Sequence, residues 1–348
     1  MPLRLALPRD PGAFRLFLAL LVFVHHFSSF AVGGSAVYVF FMLSGFWIQR
    51  MWCARYAMAR SPYLTYAISR LWRLAPVMIV VSVLTVPLLM SLEVREAETA
   101  GTQTAHFIFS TVFFLGYAWL DYLPVAPAWS LDVEMQFYLV APLLALLVAK
   151  VDYRVFLIWA GVVSGASFVL LPHIVLPVYL IFFAIGIIAA NRNYTPSNTL
   201  AKLSAGLVLL LLLTVTVSPF EGALWLGAEP GEMAIYNPAL NVILALLTIP
   251  FAFHTVHRNT DKVDKMAADL SYIIYLAHWV GALWFYDTSG SFGERLAVAA
   301  TCFVLVPIFS WLIWMWIDRP LNERRAKWVR SRMPVITGTS AVNEPAGP

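Results

Sequence analysis

Apolar runs of 17 to 22 residues recur along almost the whole chain, separated by short polar breaks. Ten of them fall at about 14–32, 35–54, 74–92, 129–149, 155–172, 174–190, 200–218, 238–256, 270–286 and 296–317. A helix rises about 1.5 Å per residue, so each run is close to the length that crosses a bilayer core of about 30 Å. Residues 105–120 (AHFIFSTVFFLGYAWL) form a further apolar run, about three-quarters of a usual span. The pattern predicts an all-α, polytopic transmembrane bundle over residues 1–325, followed by a basic tail over 326–348 that looks disordered from Met333 onward. The polar stretches 93–104, 219–237 and 257–269 are too short for a second folded domain. No internal repeat is visible, so a transporter built from inverted halves gains no support.

Charge decides whether 105–120 crosses. With ten spans and both termini cytoplasmic, 21 of the 23 lysines and arginines lie on the cytoplasmic side, and only Arg95 and Arg295 lie outside. The outer loops carry acidic residues instead, among them Glu93, Glu96, Glu98, Asp121, Glu229 and Asp287. A crossing at 105–120 would flip every loop on one side of it and erase this asymmetry, against the positive-inside rule. The run therefore reads as a re-entrant or outer-surface helix, tolerated where protein buries it, that caps a cavity from outside. Arg4, Arg9 and Arg15 before the first apolar run resemble a signal peptide, but the run leads straight into a second span, which predicts an uncleaved first helix.

Composition excludes a soluble domain: 61% of residues are apolar and 12% charged, against about 25% charged in soluble proteins. The pI of about 9.1 reflects one-sided basic residues and gives no argument for nucleic acid. Cys53 and Cys302 supply neither a disulfide frame nor a zinc spacing, and no metal is expected. The chain contains no G-x-S-x-G, P-loop or H-E-x-x-H motif.

Residues 15–46 read as two spans joined by a tight turn at Gly33-Gly34. His25 and His26 lie in the first span, with Arg15 eleven residues before His26. Eleven steps return to within about 20° of the starting face, so Arg15 and His26 share a stripe about 16 Å long. An ionisable side chain in hydrocarbon is costly, which makes His26 a functional candidate; the alternative is a histidine packed on a neighbouring helix or a water pocket.

Arg70 and Arg73 are one turn apart and can face the same way. They suit a phosphorylated ligand on the cytoplasmic side, or plain positive-inside anchoring. Trp129 opens the fourth span at the outer interface, with Asp132 near the surface and Glu134 about 7 Å deeper. Glu134 could orient or charge-stabilise His26, contact an acceptor hydroxyl, or lock helices through a salt bridge. His278 lies about 12 Å into the ninth span beside Tyr272 and Tyr275, where a packing role is the simpler one. Ser44-Gly45 reads as a small pair for a close helix contact. His106, His173, His254 and His257 sit at or near span ends and are assigned nothing.

In order along the chain, Arg15-x10-His26, VFFMLSGF at 39–46, Arg70-x-x-Arg73, WSLDVEMQFYL at 129–139, LSYIIYLAH at 270–278 and IDRPLNERR at 317–325 resemble the motifs of the acyltransferase-3 family. Tyr38 stands where many members have an acidic residue and Asp318 where glutamate is common; neither is expected to touch the proposed core. The resemblance implies transfer of an acyl group, usually acetyl, from cytoplasmic acyl-CoA to a hydroxyl of an extracytoplasmic glycan, lipid-linked sugar or glycoside, in a bacterial inner (plasma) membrane. It implies His26 and Glu134 as catalytic residues and Arg70, Arg73 and Arg15 as donor-binding residues. Trp129, Asp132, Tyr138 and His278 become substrate-binding candidates. The thioester would reach toward His26, which would act as general base or carry the acyl group itself. Larger members carry a fused esterase-like SGNH domain; this chain has no room for one, so it is expected to act alone, as a homo-oligomer, or through a handover partner. The rival function is a transporter or flippase for a polar lipid or glycoside, which explains the spans but not the arginine pair combined with WSLDVEMQFYL.

Overall fold

The structure is a computed structural model that describes residues 9–91, 103–171, 174–226 and 231–334. Arg4, Arg95, Glu93, Glu96, Glu98, Glu229, His173 and the tail from 335 lie outside the described residues. The helices are α1 (Pro11–Phe27), α2 (Gly33–Ala54), α3 (Pro62–Ser91), α4 (Thr104–Phe113), α5 (Trp129–Lys150), α6 (Tyr153–Leu170), α7 (Leu176–Asn191), α8 (Asn198–Thr216), α9 (Asn237–Thr255), α10 (Lys262–Asp287), α11 (Phe292–Ile313) and α12 (Arg319–Arg330). A π turn, Trp314–Asp318, joins α11 to α12. Among the described residues β-type pairing is limited to one isolated bridge, between Phe30 and Trp225.

Every predicted span is found as a helix, and among the described residues seven helices are long and apolar enough to cross a membrane. They are α3, α5, α6, α8, α9, α10 and the α11–α12 rod; α1, α4 and α7 are apolar but shorter. The count of ten therefore rests on the charge pattern rather than on helix length.

Three boundaries differ from the sequence expectation. Residues 105–120 are α-helical only as far as Phe113, because Phe114 takes φ 56° and Gly116 takes φ 76°, and a 3-10 turn, Tyr117–Trp119, follows. The left-handed region suits Gly116, which has no Cβ. Ten helical residues reach about 15 Å, half of a hydrocarbon core, so this helix by itself is too short to span one. The third span starts at Pro62 rather than 74, with proline in the first helical turn where its missing N–H costs nothing. Arg70 and Arg73 consequently sit inside the helix.

The third difference is the Gly33-Gly34 link. These glycines open α2, and the break lies at 28–32. Backbone without a helical ladder needs other partners where water is scarce. Here two amides supply them. The Asn241 side chain accepts from Ser35 N at 2.7 Å and donates to Ala31 O at 3.0 Å. Asn237 Nδ2 donates to Ala31 O and Ala223 O at 2.8 Å each.

The chain divides into two compact units: Met1–Leu43 with Asn193–Tyr275, and Ser44–Arg192 with Leu276–Gly347. In the first, Phe14 meets Phe251 edge-on at 5.3 Å. Ala13 N donates to Asp264 Oδ1 at 2.8 Å, so a carboxylate from α10 serves an otherwise orphaned N–H at the start of α1. In the second, Gly45 of α2 backs onto the Phe183 carbonyl of α7, and Phe137 stacks on Phe183 at 4.1 Å. The small Ser44-Gly45 pair is thus a close helix contact, as its sequence suggests.

Candidate active site

The second unit gathers most of the candidate residues. A single 3-10 turn, Tyr56–Met58, links α2 to α3 and buries Tyr56 to 2% exposure. The Tyr56 hydroxyl lies 2.8 Å from Ser69 Oγ and accepts from Arg70 Nη2 at 2.9 Å. Arg70 is 7% exposed, its guanidinium sits 5.6 Å from the Tyr56 ring centroid, and its Nε is buried without a hydrogen-bond partner. Ser69 Oγ also accepts from Arg325 Nη1 of α12 at 3.0 Å. Burial pushes the Tyr56 phenol up. The Arg70 charge, the Ser69 hydrogen bond and the Arg325 charge outweigh it and bring the phenol down to about 8.

Arg73, one turn further along α3, is held differently: Nη1 pairs with Asp318 Oδ1 at 2.8 Å. The two arginines of Arg70-x-x-Arg73 thus share a helix but not a partner. Asp318 touches the proposed core after all, correcting the expectation that it stands apart. Arg55, Arg70 and Arg73 all act electrostatically on Arg325. Among the described residues, Asp318 is the carboxylate that pairs with any of the four.

Along α5 the polar groups continue. Glu134 Oε1 accepts from Ser44 Oγ and from Tyr138 OH, the latter at 2.5 Å. Two hydroxyls hold this carboxylate, and no cation pairs with it among the described residues, so the helix-locking salt bridge is not what is found. The Arg70 charge is felt at Tyr138 and at Tyr66. Tyr66 is fully buried and its hydroxyl has no hydrogen-bond partner.

Toward the start of α5, Asp132 is near the helix end, as expected, yet it is wholly buried. It accepts from Ala118 N and from Gln136 Nε2, both at 2.9 Å. Gln136 Oε1 in turn accepts from Leu176 N at 2.9 Å, and Tyr117 OH accepts from Val125 N at 2.8 Å. These bonds fold the 114–128 segment onto α5. Trp129 is the first residue of α5, with its ring 5.4 Å from Tyr179. His278 is fully buried in α10, which begins at Lys262 rather than 270, so it lies about 24 Å along that helix.

In the first unit α1 carries Arg15, His25 and His26. His25 is hydrogen-bonded to the Phe30 backbone, and its ring stands 4.9 Å from that of His26. A Cβ on Gly33 would lie 2.8 Å from the His25 ring. His25 is therefore bound into the break between α1 and α2.

Ser44, Tyr56, Ser69 and Arg325 are the polar residues that sequence reasoning did not assign to the site. The signals for Arg325 are its place at the end of IDRPLNERR and in the basic run after Asp318.

The sequence profile of the acyltransferase-3 family, described as an acyltransferase domain, matches residues 10–315. No curated protein and no solved structure matches the chain. The profile runs from the start of α1 to the π turn, takes in every helix that carries His26, Arg70 or Glu134, and so the chain belongs to the acyltransferase-3 family of integral membrane acyltransferases.

Proposed function

We propose that the protein is an acyl-CoA-dependent O-acyltransferase. It would move an acyl group, acetyl foremost, from cytoplasmic acyl-CoA to a hydroxyl of an extracytoplasmic glycan, lipid-linked sugar or glycoside. The membrane would be the plasma membrane, with both termini in the cytoplasm. The observation that carries the donor assignment is Arg70: a guanidinium almost removed from water, with a buried Nε unpartnered, one turn from Arg73. Burying cationic forks is costly unless an anion compensates, and guanidinium matches phosphate oxygens. Acyl-CoA carries such phosphates at its nucleotide end and the thioester at the far end of its pantetheine arm.

His26 supplies the chemistry. As general base, its neutral imidazole takes the acceptor hydroxyl proton while that oxygen attacks the thioester carbonyl; the C–S bond breaks and the thiolate takes the proton. As nucleophile, a ring nitrogen attacks the carbonyl first and the thiolate leaves; the acceptor oxygen then displaces the imidazole, and the hydroxyl proton ends on the thiolate. Arg15, on the same helix, would contact the donor. Glu134, fixed by Ser44 and Tyr138, would receive the acceptor hydroxyl, with Trp129, Asp132 and His278 shaping its surroundings.

The test is acceptor-dependent release of coenzyme A by the purified protein in lipid nanodiscs. Labelled acetyl appearing on the acceptor supports the proposal. Movement of an unmodified glycoside with no coenzyme A turnover would support the transporter instead.

A further inference from the structure

We infer that Arg325 of α12, with Arg70 and the Ser69 hydroxyl, forms a subsite for a phosphate monoester dianion, distinct from the Arg73–Asp318 pair. This rests on the acyl-CoA reading above and extends it to a residue outside both the arginine pair of α3 and the part of the chain that the family profile matches.

Three observations carry it. Arg325 reaches back across 256 positions to donate to Ser69 Oγ at 3.0 Å, next in sequence to Arg70. Ser69 Oγ is thereby placed between Arg325 and the Tyr56 hydroxyl, which itself holds Arg70. Second, the local charge does not balance. Asp318 is engaged with Arg73, which leaves the mutually repelling Arg70 and Arg325 guanidiniums with neutral partners among the described residues: the Tyr56 hydroxyl for Arg70, and the Ser69 hydroxyl and the Asn322 side-chain oxygen, at 3.1 Å, for Arg325. Two cations in a partly dry place call for a ligand of charge near −2, which is what a phosphate monoester carries at neutral pH. Third, Arg70 Nε, Thr65 Oγ1 and the Tyr66 hydroxyl are buried without partners in the same stretch of α3. Native proteins rarely leave buried polar groups unsatisfied, and a phosphate oxygen would accept from Arg70 Nε. The lowered Tyr56 phenol reports the same positive field. The one monoester of coenzyme A is its 3′-phosphate.

The alternative is a clamp, with Arg325 merely fastening α12 to α3. A binding cycle separates the two. Acetyl-CoA and 3′-dephospho-acetyl-CoA are titrated against wild type, Arg325→Gln and Arg325→Lys in nanodiscs of neutral lipid, with thermal stability recorded for each. The subsite predicts that Arg325→Gln weakens acetyl-CoA about tenfold or more and leaves the dephospho form unchanged. Arg325→Lys should fall between, and serves alone should the glutamine variant fail to fold. Equal loss for both ligands, or none, would overturn the subsite and leave the clamp. A third arm adds phosphatidic acid to the nanodiscs. Stabilisation by that lipid that needs Arg325, with acetyl-CoA affinity unchanged, would assign the phosphate to a lipid and overturn the donor subsite. Failure of wild type to bind either nucleotide would instead sink the acyl-CoA reading itself.

Discussion

Arg73 and Asp318 meet at 2.8 Å across 245 positions of sequence. The π turn Trp314–Asp318 sets this up, because a wider turn shifts the register of every residue after it. Asp318 is 2% exposed and Arg73 14%, so the pair is largely shielded from water. Removing one partner of a buried pair leaves an uncompensated charge and costs about 3–5 kcal/mol. Asp318→Asn should therefore lower the melting temperature in detergent sharply, while Asp318→Glu, which keeps the charge, should lower it little. Equal melting temperatures for Asp318→Asn and wild type would show that the pair contributes nothing.

Gly45 is a second point where one atom decides packing. A Cβ there would run into the Phe183 carbonyl, whereas one at Gly165 would meet nothing within 4 Å. Gly45→Ala should cost about 1–3 kcal/mol, the usual toll of overpacking. Gly165→Ala should be neutral or slightly stabilising, since alanine is the better helix former. Thermal unfolding of the two variants side by side checks the contrast.

Tyr56 gives a pH signature. Its phenol titrates near 8 in the folded protein, below the ordinary value of about 10. A lowered value favours the ionised form of the folded chain. Its contribution to stability is therefore complete above about pH 10 and is lost as pH falls through about 8. Wild type should gain stability over Tyr56→Phe between those limits, measured by denaturation at fixed pH values. If the arginine cluster binds the donor, the new phenolate also competes for it, so KM for acyl-CoA should rise over the same interval. A flat profile in Tyr56→Phe confirms the origin; the same rise in that variant would point elsewhere.

Two carboxylates on α5 should separate by what they change. Asp132 holds the 114–128 segment through Ala118 N and Gln136. Asp132→Asn should act first on stability, by about 1–3 kcal/mol for a buried bond. Glu134, held only by hydroxyls, is proposed to receive the acceptor. Glu134→Gln should cut kcat by about 10²-fold or more with little change in melting temperature. Turnover and thermal scans on both variants decide, and a reversed pattern would exchange their roles.

The apolar runs made the helices legible, because a bilayer demands about twenty such residues and tolerates few alternatives. The ordered motifs made the family legible. Long-range contacts did not show. The polar start of α3 hid twelve helical residues, since hydropathy cannot register that Tyr56 holds Arg70. Gly33-Gly34 looked like the turn because the true break at 28–32 is supported by Asn237 and Asn241, about two hundred residues away. Arg325 reads as one more basic residue in a run of them, and only the fold returns it to Ser69.

The most direct test of the account is the acetyl-CoA consumption of His26→Ala, with and without acceptor, at protein levels equal to wild type. The account predicts that acetyl transfer is abolished, while His25→Ala, altering the residue bound to the Phe30 backbone, keeps a reduced rate. Wild-type turnover in His26→Ala would contradict the central claim that this imidazole moves the acyl group.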